Sequence, residues 1–161
     1  MRSFLRYWLP LLIWLGVIFI GSTNVMSAEQ TSRFLVPFLL WLKPGMSART
    51  IWIILVVMRK CAHVGEYAVL AVLLWRALRW GTTLAIGMAA SCAIALLGCA
   101  LFGASDEFHQ TFVKSRTPSI GDVFLDTEGA CLGLLIGATV VNRRHKNRRT
   151  CTQSQFVDAQ V

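Results

Sequence analysis

Charge is scarce in this sequence, and acidic charge scarcest: 15% of its 161 residues are charged, with eight Asp and Glu against sixteen Lys and Arg. In place of charge stand 55% hydrophobic residues and a mean hydropathy of +0.58. That is more apolar surface than a domain of this length can bury, which excludes a soluble globular fold and leaves the bilayer to take up the surplus. There is no C-x-x-C pair. The five cysteines, Cys61, Cys92, Cys99, Cys131 and Cys151, are odd in number and fall mostly inside apolar runs, so they pack as small hydrophobes rather than forming a disulfide framework. H-E-x-x-H is missing, and with it metalloprotease chemistry; D-E-F-H without G-x-x-x-x-G-K is no helicase. No clear small-x-small cleavage site follows the first apolar run, Met26-Ser27-Ala28 being a poor fit, so that run is a retained anchor.

Four stretches remain that can cross a membrane. The first runs from about residue 4 to 21, the second from 62 to 80, the third from 82 to 104 and the fourth from 120 to 141. The third has 23 consecutive residues without a charge, a helix of roughly 34 Å against a hydrocarbon core of about 30 Å. Two shorter runs cannot span. Residues 34–42, with Phe34, Phe38 and Trp41 at helical intervals, suit the interface, and residues 51–58 are re-entrant or prolong the following helix. The expectation is an all-α, polytopic transmembrane bundle of about four spans plus one or two short interfacial or re-entrant helices. It forms one membrane domain over residues 1–141, followed by a basic tail, 142–161, without regular structure.

The net charge of +8 does not point to nucleic acid, because the basic residues flank apolar segments, where they orient the chain and meet anionic lipid. With both termini on one side, nine Lys and Arg lie there against seven opposite, and the dense run from Arg143 to Arg149 is unpaired. Both termini are expected in the cytoplasm.

Six of the eight acids lie between Glu66 and Glu128, each in or beside a span. Ionisable groups at that depth persist where they pair, line a wet cavity or perform chemistry. At 100° per residue, Lys60, His63, Glu66 and Tyr67 share one face of the second helix. If the third helix continues past residue 104, then Asp106, His109 and Gln110 share another, with Glu107 beside them. On the fourth helix Asp122 and Asp126 head a stripe with Gly129, Gly133 and Gly137, where a neighbouring backbone can approach closely. Glu128 falls on a different side. The assigned topology brings these groups to one rim of the bundle. Three uses stay open there: ion pairs fastening helices, such as Lys60 or Arg116 with Asp106, Glu107 or Asp122; a divalent-metal site from His63, Glu66, Asp106, His109 and Asp122; and a site where Lys60 and Arg116 hold an anionic headgroup.

The blocks K-C-A-H-V-G-E-Y-A-V-L (60–70), D-E-F-H-Q-T-F-V-K-S-R (106–116) and S-I-G-D-V-F-L-D-T-E-G-A (119–130) resemble the VanZ-like family, as does the close of the first span, I-F-I-G-S. The resemblance covers nearly half the chain, from Lys60 to about Gly137, and implies a multi-pass helical protein of the bacterial inner membrane. The family's namesake is associated with reduced susceptibility to the glycopeptide teicoplanin. Its characteristic positions fall on Lys60, His63, Tyr67, Asp106, Glu107, Gln110, Arg116, Asp122 and Gly129. Two departures stand out: Lys114-Ser115 where Pro-Gly often precedes the arginine, and Asp126 and Glu128 where amide and apolar residues are common. The resulting expectation is an envelope factor whose outward polar pocket binds a lipid-linked or glycan component through Lys60, Tyr67, Gln110 and Arg116. Its partners are membrane lipids and a lipid-linked envelope precursor, without nucleic acid and without a cofactor unless the metal site forms. Two alternatives accompany it. One is an intramembrane enzyme with catalytic candidates among His63, Glu66, Asp106, Glu107, His109 and Asp122. The other is a proton or small-solute pathway along Asp122, Asp126 and Glu128.

Overall fold

The computed structural model describes residues 2–23, 28–113 and 119–158, with side chains over 4–23, 30–113 and 119–143. Long uninterrupted apolar runs with few helix breakers fold as five helices: α1 (Arg2–Ser22), α2 (Ala28–Leu42), α3 (Ala48–Trp80), α4 (Met88–Gln110) and α5 (Ile120–Asp158). There is no strand among the described residues. The fold is an all-α membrane bundle. By length and apolarity alone, Phe4–Ser22, Met88–Gln110 and Ile120–Arg143 can each cross a bilayer. The fourth rod, α3, carries Arg59, Lys60, His63, Glu66, Arg76 and Arg79 and does not qualify on composition. Instead it occupies the centre, packing against α1, α2, α4 and α5.

Side-chain contacts fix the directions. Trp8 Nε1 donates to the Gly81 carbonyl at 3.1 Å and Trp14 Nε1 to the Glu66 carbonyl at 2.9 Å, so α1 and α3 are antiparallel. Trp75 Nε1 reaches Ser91 Oγ at 3.1 Å while Tyr67 packs on Phe102, which makes α3 and α4 antiparallel too. In contrast, α3 and α5 run parallel. A Cβ built on Gly129 would lie 2.5 Å from the Val64 carbonyl oxygen, one on Gly133 would run into the Ala68 carbonyl oxygen, and one on Gly137 would meet the Trp75 ring at 3.2 Å. The glycine stripe is thus spent inside the chain, letting α5 ride directly on the α3 backbone. Tyr67, Leu70, Ala71, Trp75, Ala95, Cys99 and Ala130 fill the core, and most of the remaining large apolar side chains face outward, as lipid contact requires.

Three boundaries differ from expectation. Helix α3 begins at Ala48 rather than near residue 62: Ser47 caps it by accepting from the Thr50 N–H at 3.2 Å, and residues 51–58 prolong the helix. Its 33 residues measure about 50 Å, well beyond a hydrocarbon core of about 30 Å. The third span sits six residues later than expected at either end. Gly81 closes α3 and Gly87 opens α4, so residues 82–87 form the turn, while Asp106, Glu107 and Gln110 stay helical because they are buried against neighbouring helices. Finally, α5 continues beyond residue 141 to Asp158, where an unstructured tail was expected; no Gly or Pro occurs after Gly137 to stop it. Residues 34–42 belong to α2, which among the described residues packs only on α3, with Leu39 and Ile51 buried.

Candidate functional site

The register of the parallel pair α3 and α5 builds the centre of the site. Because both helices advance by the same rise, Arg59 and Lys60 meet Asp122, and one turn deeper His63 meets Asp126. Asp122 is buried and accepts from Arg59 Nη2 at 3.3 Å and from Lys60 Nζ. His63 Nδ1 lies 2.9 Å from Asp126 Oδ1; facing a carboxylate, that nitrogen is the donor, and Nε2 is left as the second ring nitrogen. Asp126 is completely buried.

Helix α4 supplies the third wall. Gly103, Asp106, Glu107 and Gln110 fall at i, i+3, i+4 and i+7, one helical face, and all four are buried. Gln110 Nε2 donates to Asp106 Oδ2 at 3.0 Å, and Glu107 Oε2 accepts from the Ser119 N–H at 2.8 Å, pinning the start of α5 to the end of α4. Gly103 matters through what it lacks: a Cβ there would lie 3.3 Å from Asp126 Oδ2 and 3.4 Å from the Tyr67 ring. Tyr67, Asp126 and the α4 face therefore converge over this glycine.

Among the described residues, several buried polar atoms have no hydrogen-bond partner: the Tyr67 hydroxyl, Asp126 Oδ2, Glu107 Oε1 and Gln110 Oε1 in this layer, and besides these His109 Nδ1 and Ser22 Oγ. An unmet hydrogen-bonding group away from water is costly, roughly 1–3 kcal/mol each. Four of these atoms belong to side chains of the layer between α3, α4 and α5.

The positions singled out from sequence divide clearly. Lys60, His63, Tyr67, Asp106, Glu107, Gln110 and Asp122 come together, and Gly129, Gly133 and Gly137 carry the helix packing. Glu66 is half-buried on α3, and its backbone carbonyl accepts from Trp14 Nε1 of α1. His109 turns toward α1, its ring 5.1 Å from that of Phe19, so it stands on the flank of the cluster rather than beside Asp126. Arg116 and Lys114 lie outside the described residues. Among the described residues no group of three or more His, Cys, Asp or Glu side chains is placed to hold a metal ion. Glu128 is exposed, away from buried Asp126, so Asp122, Asp126 and Glu128 do not form a file. Sequence reasoning missed three contributors: Arg59 as a partner of Asp122, Asp126 as the partner of His63, and Gly103 as the floor. The first two were legible in principle, since Arg59 and His63 share a four-residue spacing with Asp122 and Asp126.

A helical bundle in which three helices are long and apolar enough to cross a membrane, with a buried polar layer near one end, is the architecture of a polytopic membrane protein. The profile of the VanZ/LLP1 family matches residues 7–141, most of the chain and all of this site. The chain belongs to the VanZ/LLP1 family. No curated protein and no solved structure matches it.

Proposed function

We propose that this protein is an envelope factor of the bacterial inner membrane. It holds the headgroup of a lipid or lipid-linked precursor in the polar layer between α3, α4 and α5, and thereby alters access of a glycopeptide such as teicoplanin to its target. Both termini lie in the cytoplasm and the layer opens on the opposite face. The observation that carries the reading is the set of unpartnered oxygens on Tyr67, Glu107, Gln110 and Asp126, all on side chains at least nine-tenths buried. Apolar packing alone would not retain them. Lys60, half exposed while it pairs with Asp122, stands at the rim rather than inside. A susceptible bacterium producing the wild-type chain, Asp126→Asn or Tyr67→Phe at equal membrane levels tests this: teicoplanin susceptibility should shift with the wild type and revert with either variant. Equal susceptibility in all three strains would sink the proposal.

The pairing of His63 with Asp126 favours a second reading, an intramembrane enzyme. A carboxylate that orients imidazole Nδ1 leaves Nε2 to take or give a proton on a headgroup. Under this reading His63→Gln abolishes conversion of a labelled headgroup while headgroup retention persists.

A further inference from the structure

The unpartnered atoms also specify what kind of group can enter. Glu107 Oε1 and Asp126 Oδ2 are carboxylate oxygens and only accept when ionised. Gln110 is fixed in the same sense, because its Nε2 faces Asp106 Oδ2, which leaves Oε1, an acceptor, turned to the site. A phosphate placed here would meet Asp106, Glu107 and Asp126, all acidic, with an amide carbonyl beside them. Among the described residues the basic groups nearby are engaged elsewhere: Arg59 and Lys60 with Asp122, and His63 with Asp126. A cluster of acids alone would not define a ligand, but Gln110 is 1% exposed and Tyr67 fully buried, and each presents an unmet polar atom in the same layer.

We infer that the site takes a protonated primary amine, whose N–H groups are shared among Asp126, Glu107 and Gln110 while the Tyr67 hydroxyl completes the shell. This rests on the headgroup-binding reading and narrows it from polar headgroups in general to amine-bearing ones. The amine has two sources, an aminophospholipid headgroup or a lysine-like side chain on a lipid-linked or soluble component. Three N–H donors on one cation match three acceptors. A quaternary ammonium, equally charged but without N–H, does not.

The test uses the full chain purified into nanodiscs of phosphatidylglycerol, alone or mixed with phosphatidylethanolamine or phosphatidylcholine. Retained lipid is counted by native mass spectrometry, and melting is followed by tryptophan fluorescence. Phosphatidylethanolamine should be retained over both other lipids by about tenfold, the worth of one charge-assisted hydrogen bond. The preference should disappear in Asp126→Asn and Glu107→Gln. Should those variants fail to fold, Gln110→Lys decides: it brings a tethered ammonium to the same acids, so it should melt higher than the wild type in phosphatidylglycerol alone and show no preference for the amine lipid. Ethanolamine or Nα-acetyl-lysine amide that raises the wild-type melting temperature without any amine lipid also supports the amine and names a soluble source. Equal retention of the ethanolamine and choline lipids, with no shift from either soluble amine, overturns the inference. If phosphatidylglycerol is then retained selectively, and that selectivity is lost in Asp126→Asn, headgroup binding survives with another chemistry. If the wild type selects no headgroup at all, both fall.

Discussion

The seam between α3 and α5 changes character along its length. In its first two turns it is polar, with Arg59 and Lys60 on Asp122 and His63 on Asp126; below that, Gly129 and Gly133 bring α5 onto the bare backbone of α3 at Val64 and Ala68. The same two helices thus meet first through charge and then through absence of side chain. Close approach in the lower half holds the rods in one register, and that register sets His63 opposite Asp126 rather than one turn away. The glycines are in this sense responsible for the geometry of a site they do not touch.

Breaking the lower half should have the largest effect. Gly133→Ala must push α5 off the Ala68 carbonyl, and about 3 kcal/mol of stability should be lost, toward the upper end of what overpacking costs. Unfolding of the purified protein in mixed detergent micelles measures it, and a loss under half that value would mean the backbones separate easily. In the upper half, Asp126→Ala leaves the buried His63 without its acceptor and should cost about 2 kcal/mol. A double-mutant cycle with His63→Ala should recover a coupling of at least about 0.5 kcal/mol, and additive single effects would show that the pair is not an energetic unit. Trp14→Phe, which removes the indole bond to the Glu66 carbonyl and leaves a smaller aromatic ring in its place, should cost about 1 kcal/mol in the same assay. Lys60→Met sits at the bottom of the scale. With its side chain 48% exposed and Arg59 still on Asp122, the loss should stay under about 1 kcal/mol and shrink further as salt is added.

The class of fold was legible because long charge-free runs have few other destinations, and the inward turn of Asp122 and Asp126 followed from helical angles. What angles do not carry is height. Two faces can be drawn for α3 and α5 without knowing that position 63 stands level with 126, and that offset is set by contact at Val64 and Ala68, visible only once the helices are packed. His109 shows the other limit. It lies within the arc assigned to Asp106 and Gln110, yet one residue is 100° of rotation, and that carried its ring to Phe19 on α1. The start of α3 was obscured by charge: Arg59 and Lys60 divide residues 51–58 from the rest of the span, but a backbone helix is indifferent to them when Asp122 faces both.

Order of synthesis gives the central position of α3 a consequence. It is the long central rod that does not qualify as a span by apolarity, and it leaves the ribosome some sixty residues before the aspartates that face Arg59, Lys60 and His63. Until α5 arrives, Arg59 and Lys60 lack Asp122 and His63 lacks Asp126, and lipid is a poor host for such groups. Arrival of the last helix therefore completes the polar partners of α3, so the settled placement of the central rod depends on a neighbour made later rather than on its own composition alone.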